Sequence, residues 1–350
     1  MTLTAFEREG LGLLGYSERE SEFLFCVATH SGYFTNRQFR YFSRTESGSV
    51  SHAFAQKLLE RKHASFHAYR SGERVYHLFA RKVYQAMGRE NLRTRKKHQL
   101  DYVKTRLVAL DFVLEHPELA YFGTEDEKVT FLEREYGILK DVLPSKMYRA
   151  RSSSEVTPRY FVDRFPMCVS HACSPPQLTF TYVDAGAVMI ESFVTHLRSY
   201  LALFRALPRF EFLYMAPTAR LFPTAQAEFN RNLYGSPKQA DSVNILNYFR
   251  VRKAWDLKER VTSADVILLK EAQARYGGTT TDELYAKWHE GVARDEDIVR
   301  SIRHLPCAGT FLFRTLLCGS SLKVFSDPKG KTLESSTETG SGGCVIPVLA

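Results

Sequence analysis

Four polar side chains fall on the outward face of the stretch from Val50 to Glu60: Ser51, His52, Gln56 and Lys57. Exposed donors and acceptors on a helix can hydrogen-bond base edges in a DNA groove, a role that His52 and Gln56 fill only if they stand exposed in its N-terminal half. Downstream, Arg70-Ser71-Gly72-Glu73-Arg74 offers two guanidinium groups, Arg70 and Arg74, at the tip of a hairpin, where each can reach a phosphate. Residues 89 to 106 then concentrate Arg89, Arg93, Arg95, Lys96, Lys97, His98, Lys104 and Arg106 against Glu90 and Asp101. Such an excess suits phosphate contact, and it equally suits a solvated helix between domains.

Other chemistry has less support. Cys168, His171 and Cys173 put three soft ligands within six residues, and a structural zinc would need a fourth, such as His30 or Cys307, brought in by folding. The bland alternative is ordinary loop thiols. The chain has no Gly-rich loop of Walker or dinucleotide type and no Gly-x-Ser-x-Gly turn, so neither nucleotide hydrolysis nor acyl transfer has a motif, and the chain is no self-evident enzyme. Its six cysteines (Cys26, Cys168, Cys173, Cys307, Cys318 and Cys344) are scattered without paired spacing, as expected of reduced thiols in the cytoplasm. The formal net charge of +9 favours a polyanionic partner. Apolar runs are broken by charge well short of the roughly 18 to 20 residues of a membrane span, and the N-terminal stretch lacks the pattern of a secretory signal.

The elements that must position these groups follow from periodicity. Ser17, with Glu20 three residues on, predicts the cap of a first helix through Phe23, Leu24, Cys26 and Val27. His30-Ser31-Gly32 stops it, and Thr35 caps a second helix through Phe39 and Phe42. The third helix, Val50 to Glu60, turns Val50, Phe54, Leu58 and Leu59 inward. Two aromatic-rich strands around residues 70–74 complete the order of a winged helix-turn-helix. A basic helix is expected to run on to Glu115. In the second half, residues 178–186 read as a strand, Val188 to Leu207 as a helix, Phe210 to Met215 as a strand and Thr224 to Leu233 as a helix, which predicts a βαβ unit. Residues 159–165 are a candidate neighbouring strand. From 245 to 304 the pattern is helical, with apolar faces through Val266, Leu268, Leu269 and Ala272 and through Leu284, Trp288 and Val292. The Ser/Thr/Gly-rich stretch from Ser320 reads as disordered.

Two stretches carry a family resemblance. One is the first half, where the first helix, Thr35-Asn-Arg-Gln-Phe39 and Lys57-Leu-Leu-Glu-Arg-Lys-His-Ala64 lead into a hairpin; the other is residues 179–229, a strand, an Asp184-x-Gly186 turn, a long helix with a late Tyr200 and a second strand ending in Ala216-Pro217. In these the chain resembles the bacterial plasmid replication-relaxation family. The resemblance implies an association with plasmid or mobile-element DNA and a C-terminal half similar to a restriction-endonuclease-like fold. Such a nuclease needs an Asp on one strand and Glu-x-Lys on the next to hold Mg²⁺ and assist the attacking water. Asp163 is then the first carboxylate, but Tyr182 stands at the Glu position and Asp184 at the Lys position. Asp163 and Asp184 remain a candidate two-carboxylate Mg²⁺ site, against the alternative that Asp184-Ala185-Gly186 is a strand-ending turn.

The sequence therefore reads as α+β: a winged helix-turn-helix over 1–88, a basic helical linker over 89–150, an α/β domain with C-terminal helices as a cap over 151–319 and a disordered tail over 320–350. The expected partner is double-stranded DNA, bound in replication, transfer or transcriptional control, with a homodimer open because winged helices often pair. The alternatives are a Mg²⁺-dependent nuclease and a protein-docking scaffold.

Overall fold

A computed structural model of the chain describes residues 3–69, 72–149, 156–163, 165–172, 176–186, 189–233, 239–276, 279–302 and 310–326. The protein is α+β and divides into two compact units. Within the described residues the first runs to Pro117 and takes the chain up again at Cys318; the second spans Glu118–Leu317.

The first unit begins with α1 (Ala5–Leu13) and α2 (Glu18–His30), each opened by a capping box, Thr4 with Glu7 and Ser17 with Glu20. The predicted stop after α2 has a steric cause. Gly32 has φ +81°, and a Cβ there would lie 2.2 Å from the Thr94 carbonyl oxygen, so no other residue fits without moving backbone. A short strand missed from sequence, β1 (Tyr33–Thr35), separates α2 from α3 (Asn36–Ser43), whose capping box pairs Thr35 with Gln38. Then come α4 (Gly48–Glu60), β2 (Ala64–Ala68), β3 (Arg74–Leu78), α5 (Arg81–Ala86) and α6 (Leu100–Glu115).

These strands form one antiparallel sheet in the order β1-β3-β2. Because strand side chains alternate, the register Phe34 to Tyr76 to Phe66 lines one face and Tyr33 to His77 to Ser65 the other. The first face closes on the helices: Phe23, Phe34, Phe39, Phe54, Leu58, Tyr76 and Leu78 share one core, with Phe39 and Phe54 stacked at 4.1 Å. The second face is covered by α6. Tyr33 and Val75 pack with Val103 and Leu107 of α6, while Leu110 and Leu114 of the same helix join the first core.

That packing corrects two boundaries. The stretch 89–150 is not a linker: α6 buries ten residues, from Val103 through Leu114, because it is apolar on both sides and fills the space between sheet and helices. Residues from Glu118 on belong to the second unit. Nor is the basic run helical before α6, which takes in only Lys104 and Arg106 of it; residues 89–99 hold a 3-10 turn at Arg93–Arg95. The second correction concerns the tail. A 3-10 turn at Ser320–Phe325 buries Ser321 and Val324, and Asp111 of α6 accepts hydrogen bonds from the Ser321 N–H (2.9 Å) and hydroxyl (2.8 Å). Residues 327–350 lie outside the described residues.

The second unit has β4 (Ala120–Tyr121), α7 (Glu125–Tyr136), β5 (Ser145–Arg149), β6 (Val156–Tyr160), β7 (Met167–Ser170), β8 (Gln177–Val183), α8 (Ile190–Ala206), β9 (Arg209–Ala216), α9 (Phe222–Leu233), α10 (Gln239–Asp256), α11 (Ser263–Tyr276), α12 (Thr279–His289), α13 (Asp295–Ile302) and β10 (Thr310–Leu317). The main sheet runs β10-β9-β8-β7-β4, with β8, β9 and β10 parallel and β7 antiparallel to β8. The predicted strand-helix-strand unit is β8, α8 and β9. The strand beside β8 is Met167–Ser170 and not 159–165, because β6 pairs instead with β5 in a separate ribbon. An aromatic core of Phe180, Phe193, Phe204, Phe210, Phe212 and Phe229 lies between sheet and helices. Helices α10 to α13 close their own small core around Tyr248, Phe249, Ala272, Tyr285 and Ile298, with Leu268, Leu269, Leu284 and Trp288 packed against it. Val292, expected on that face, is 73% exposed. The helices are an insertion and not a terminal cap: β10 follows them and returns to pair with β9.

Candidate nucleic-acid interface

The site is built where α4 passes the β2–β3 hairpin. Ser47 caps α4, and its buried row is Ser51, Phe54, Ala55 and Leu58, a spacing of three and four residues that fixes the helix phase. The opposite row, His52, Ala53, Gln56 and Glu60, faces solvent. Relative to the sequence reading the helix is turned by about one position. Hence Val50, expected inward, is 44% exposed, and Ser51, expected outward, is buried. Burial costs Ser51 little because its hydroxyl donates to the Gly48 carbonyl at 2.9 Å. Lys57 is also turned away: its ammonium holds the Glu20 carboxylate at 2.6 Å and the Gly15 carbonyl at 3.3 Å, beside the start of α2.

His52, Ala53, Ala55, Gln56 and Leu59 of α4 and Arg74 and Tyr76 of β3 line a hollow of about 300 Å³. Arg74 enters it braced, its guanidinium carbon 4.4 Å from the centre of the Phe66 ring. The Gln56 amide also donates to Glu60 at 3.1 Å, so a new partner competes with an exposed intrahelical bond. Arg74 presents positive charge here, and no carboxylate is among the described residues that line the hollow. The hairpin itself closes through the Tyr69 N–H to the Glu73 carbonyl (3.0 Å) and the Gly72 N–H to the Tyr69 carbonyl (2.9 Å). Arg70 lies outside the described residues.

Thus His52, Gln56 and Arg74 come together, and Arg95, Lys96 and Lys97 do not join them. Their loop lies against the Tyr33–His77 face, where the Tyr33 hydroxyl donates to the Lys96 carbonyl (3.3 Å) and accepts from the His98 N–H (2.9 Å). Arg95 is half-buried there; Lys96 and Lys97 are exposed. Phe66 was missed as a site residue. Strand alternation alone gives its face, but only the pairing of Phe66 with Tyr76 and of Ala68 with Arg74 sets it diagonal to the guanidinium.

In the second unit the two candidate carboxylates are already occupied by the protein. Asp163 sits in the turn after β6, where Oδ2 accepts from the Tyr200 hydroxyl at 2.7 Å and lies 3.2 Å from His196 Nδ1, and Oδ1 accepts from the Phe165 N–H at 3.2 Å. Burial pushes this carboxyl up, but the hydrogen bond and charge of His196, the Lys128 ammonium and the Tyr200 hydroxyl together hold it well below the usual range. Asp184 is buried at the end of β8, accepting from the Tyr214 hydroxyl (2.7 Å) and the Gly186 N–H (2.8 Å); Gly186 has φ +85°. That is the strand-ending turn weighed from sequence. Between them Tyr182 has its phenol pushed up by burial and then by the charges of Asp184 and Asp163. Cys168 lies within β7, its thiol pushed up to about 12 by burial, while His171 is exposed beyond the strand end. Cys173 and Cys307 lie outside the described residues, and His30 is buried in the first unit. Among the described residues, no group of three or more His, Cys, Asp or Glu converges as a metal site, and no helix is long and apolar enough to cross a membrane.

Comparison with protein-family models, with curated proteins and with solved structures returns no match to the chain.

Proposed function

We propose that the first unit is a winged helix-turn-helix that binds double-stranded DNA, with α4 as the recognition helix and the β2–β3 hairpin as the wing. The observation that carries this reading is the convergence of His52, Gln56 and Arg74 on one hollow between helix and hairpin. The element order supports it: helix, strand, helix, helix and hairpin, with the first strand paired to the third. Gln56 and His52 stand where base edges would be read, and Arg74 where a backbone phosphate would be met. The net charge of +9 favours the same partner. By the resemblance drawn from sequence, the DNA belongs to a plasmid or integrative element, and the protein acts in its replication, transfer or transcriptional control.

The second unit reads as a degenerate relative of the restriction-endonuclease-like fold. A parallel strand-helix-strand unit flanked by an antiparallel strand suits that comparison, while carboxylates already hydrogen-bonded to tyrosines argue against Mg²⁺ chemistry. Fluorescence anisotropy on a labelled generic duplex across a salt series tests the DNA reading. Affinity that falls steeply with salt, and that Arg74→Ala weakens, supports it. No binding by the wild-type protein at low salt removes it in favour of a protein-docking module.

A further inference from the structure

The stretch Cys318–Ser326 is anchored to the first unit at one end and touches the hairpin at the other. At the anchor, Asp111 takes both the N–H and the hydroxyl of Ser321 on Oδ2, its Oδ1 accepts from the Gln38 amide at 2.8 Å, and Arg37 donates to the Ser320 carbonyl at 3.2 Å. The Cys318 thiol reaches the Val108 carbonyl at 3.7 Å. A few residues on, Val324 is fully buried against Tyr33, Val75, Val103 and Leu107, and the Phe325 ring meets Tyr69 edge-on with centres 4.7 Å apart. Lys104 of α6 stands 5.7 Å from the same ring. Tyr69 is the residue whose N–H and carbonyl both close the hairpin.

Outward of Val75 most of the described hairpin residues are exposed. On the face toward α4 the hollow opens beside Arg74, and Phe66, His67 and Ala68 of β2 are exposed. A two-stranded hairpin end without a packed face is marginal in water. We propose that Phe325, with Val324, braces the outer half of the hairpin from the face opposite α4, and so positions Arg74 and Phe66 for DNA. Phe325 is thus a positioning residue that touches no DNA. The inference rests on the DNA reading for its purpose but not for its geometry. The brace reaches the hairpin only after the chain has passed through the whole second unit, since Cys318 directly follows β10.

The test measures hydrogen exchange across residues 64–78 and anisotropy on the labelled duplex, for the wild-type protein, for Phe325→Ala, Phe325→Leu and Tyr69→Ala, and for the Phe325→Ala/Tyr69→Ala double variant. Faster exchange confined to 64–78 is expected in Phe325→Ala and Tyr69→Ala, with affinity weakened about two- to tenfold, the range one aromatic contact is worth. Phe325→Leu should recover part of both. The double variant should be no worse than the more affected single one, because both remove the same contact. Unchanged exchange across 64–78 in Phe325→Ala and Tyr69→Ala overturns the brace, whatever the affinities. Faster exchange in a protein whose wild type binds no duplex upholds the brace as geometry and fails the DNA reading instead.

Discussion

The guanidinium of Arg74 stacks on the ring of Phe66, 4.4 Å from its centre, although eight positions and a chain reversal separate the two. An arginine held against a ring keeps its outer N–H groups available to meet phosphate oxygens with two parallel hydrogen bonds. His52 and Gln56 reach the same hollow from α4. A planar cation held beside an amide and an imidazole divides the labour of a DNA contact, charge for position and the two other side chains for sequence.

Arg74→Ala should weaken binding to all duplexes alike and lower the slope of log affinity against log salt by about one, as loss of one phosphate contact requires. Phe66→Ala should give part of that loss while leaving the charge in place, and Arg74→Lys should not restore the wild type, since an ammonium lacks the planar fork. Anisotropy titrations across salt check all three. A Phe66→Ala protein indistinguishable from wild type would show that the stack has no part in binding.

Gln56→Ala should act differently, relaxing preference at one base position by about 1–3 kcal/mol once a preferred site is selected, with the salt slope unchanged. Ser51→Ala should leave DNA affinity within about twofold of wild type, because the hydroxyl is spent on the Gly48 carbonyl within the helix and the side chain is buried. Selection from a random duplex pool, followed by titration of the variants, separates these two neighbouring residues.

Much of this arrangement was legible in the sequence. The capping box at Ser17, the cap at Thr35, the helix containing His52 and Gln56, the hairpin and the β8–α8–β9 unit all follow from local spacing. What was not legible depends on partners far along the chain. Ser51 and Val50 exchanged places because the phase of α4 is set by what it packs on, not by its own hydropathy. The helix taken for a linker is apolar on two sides, a pattern that a charge count over Lys97, Lys104 and Arg106 hides; Arg106 itself is buried. Phe325 and Val324 sit at the head of a stretch whose composition reads as disordered, and their place against Tyr69 and Val75 is fixed by contacts more than two hundred residues away in sequence.

His63 gives the first unit an acid-sensitive point. It is 1% exposed, bonded through Nδ1 to the Tyr16 hydroxyl, and its buried Nε2 has no hydrogen-bond partner among the described residues. Burial, followed by the charges of Lys82 and Arg61, lowers its pKa from 6.5 to about 4. Between those values the unfolded chain binds more protons than the folded one, so this contribution to stability is complete above pH 6.5 and is lost as pH falls toward 4. Thermal melts from pH 7 to 4 should show a steeper loss for wild type than for His63→Gln; equal slopes would assign the acid sensitivity elsewhere.

Asp111 holds α6, α3 and the C-terminal turn together through Gln38 and Ser321. Asp111→Ala leaves those donors without their acceptor and should cost about 2–4 kcal/mol. Burial raises the pKa of this carboxyl, so its ionised form is the costly one in the folded protein. Its contribution therefore falls as pH rises above 3.8, and Asp111→Asn, which keeps an acceptor without the charge, should be milder than alanine. Chemical denaturation of the two variants at neutral pH gives the order directly.

Asp163 separates a structural carboxylate from a catalytic one. Its pKa is held below the ordinary 3.8 by His196, Lys128 and Tyr200 against the opposing effect of burial. A depressed carboxylate contributes stability that is present above pH 3.8 and lost as pH falls below it, because the folded state then resists a proton that the unfolded chain accepts. Asp163→Ala should therefore lower the melting temperature at neutral pH, at a cost of about 2–4 kcal/mol for the unpaired imidazole and phenol left behind, and Mg²⁺ should leave the wild-type melting temperature unmoved. A metal-binding carboxylate behaves in the opposite way. Freed of a charge repelled by a second acidic ligand, Asp163→Ala would melt higher than wild type in the absence of metal, and Mg²⁺ would stabilise only the wild type. Calorimetry of both proteins with and without Mg²⁺ decides between them, since the two readings differ in the sign of the alanine effect as well as in the response to the ion.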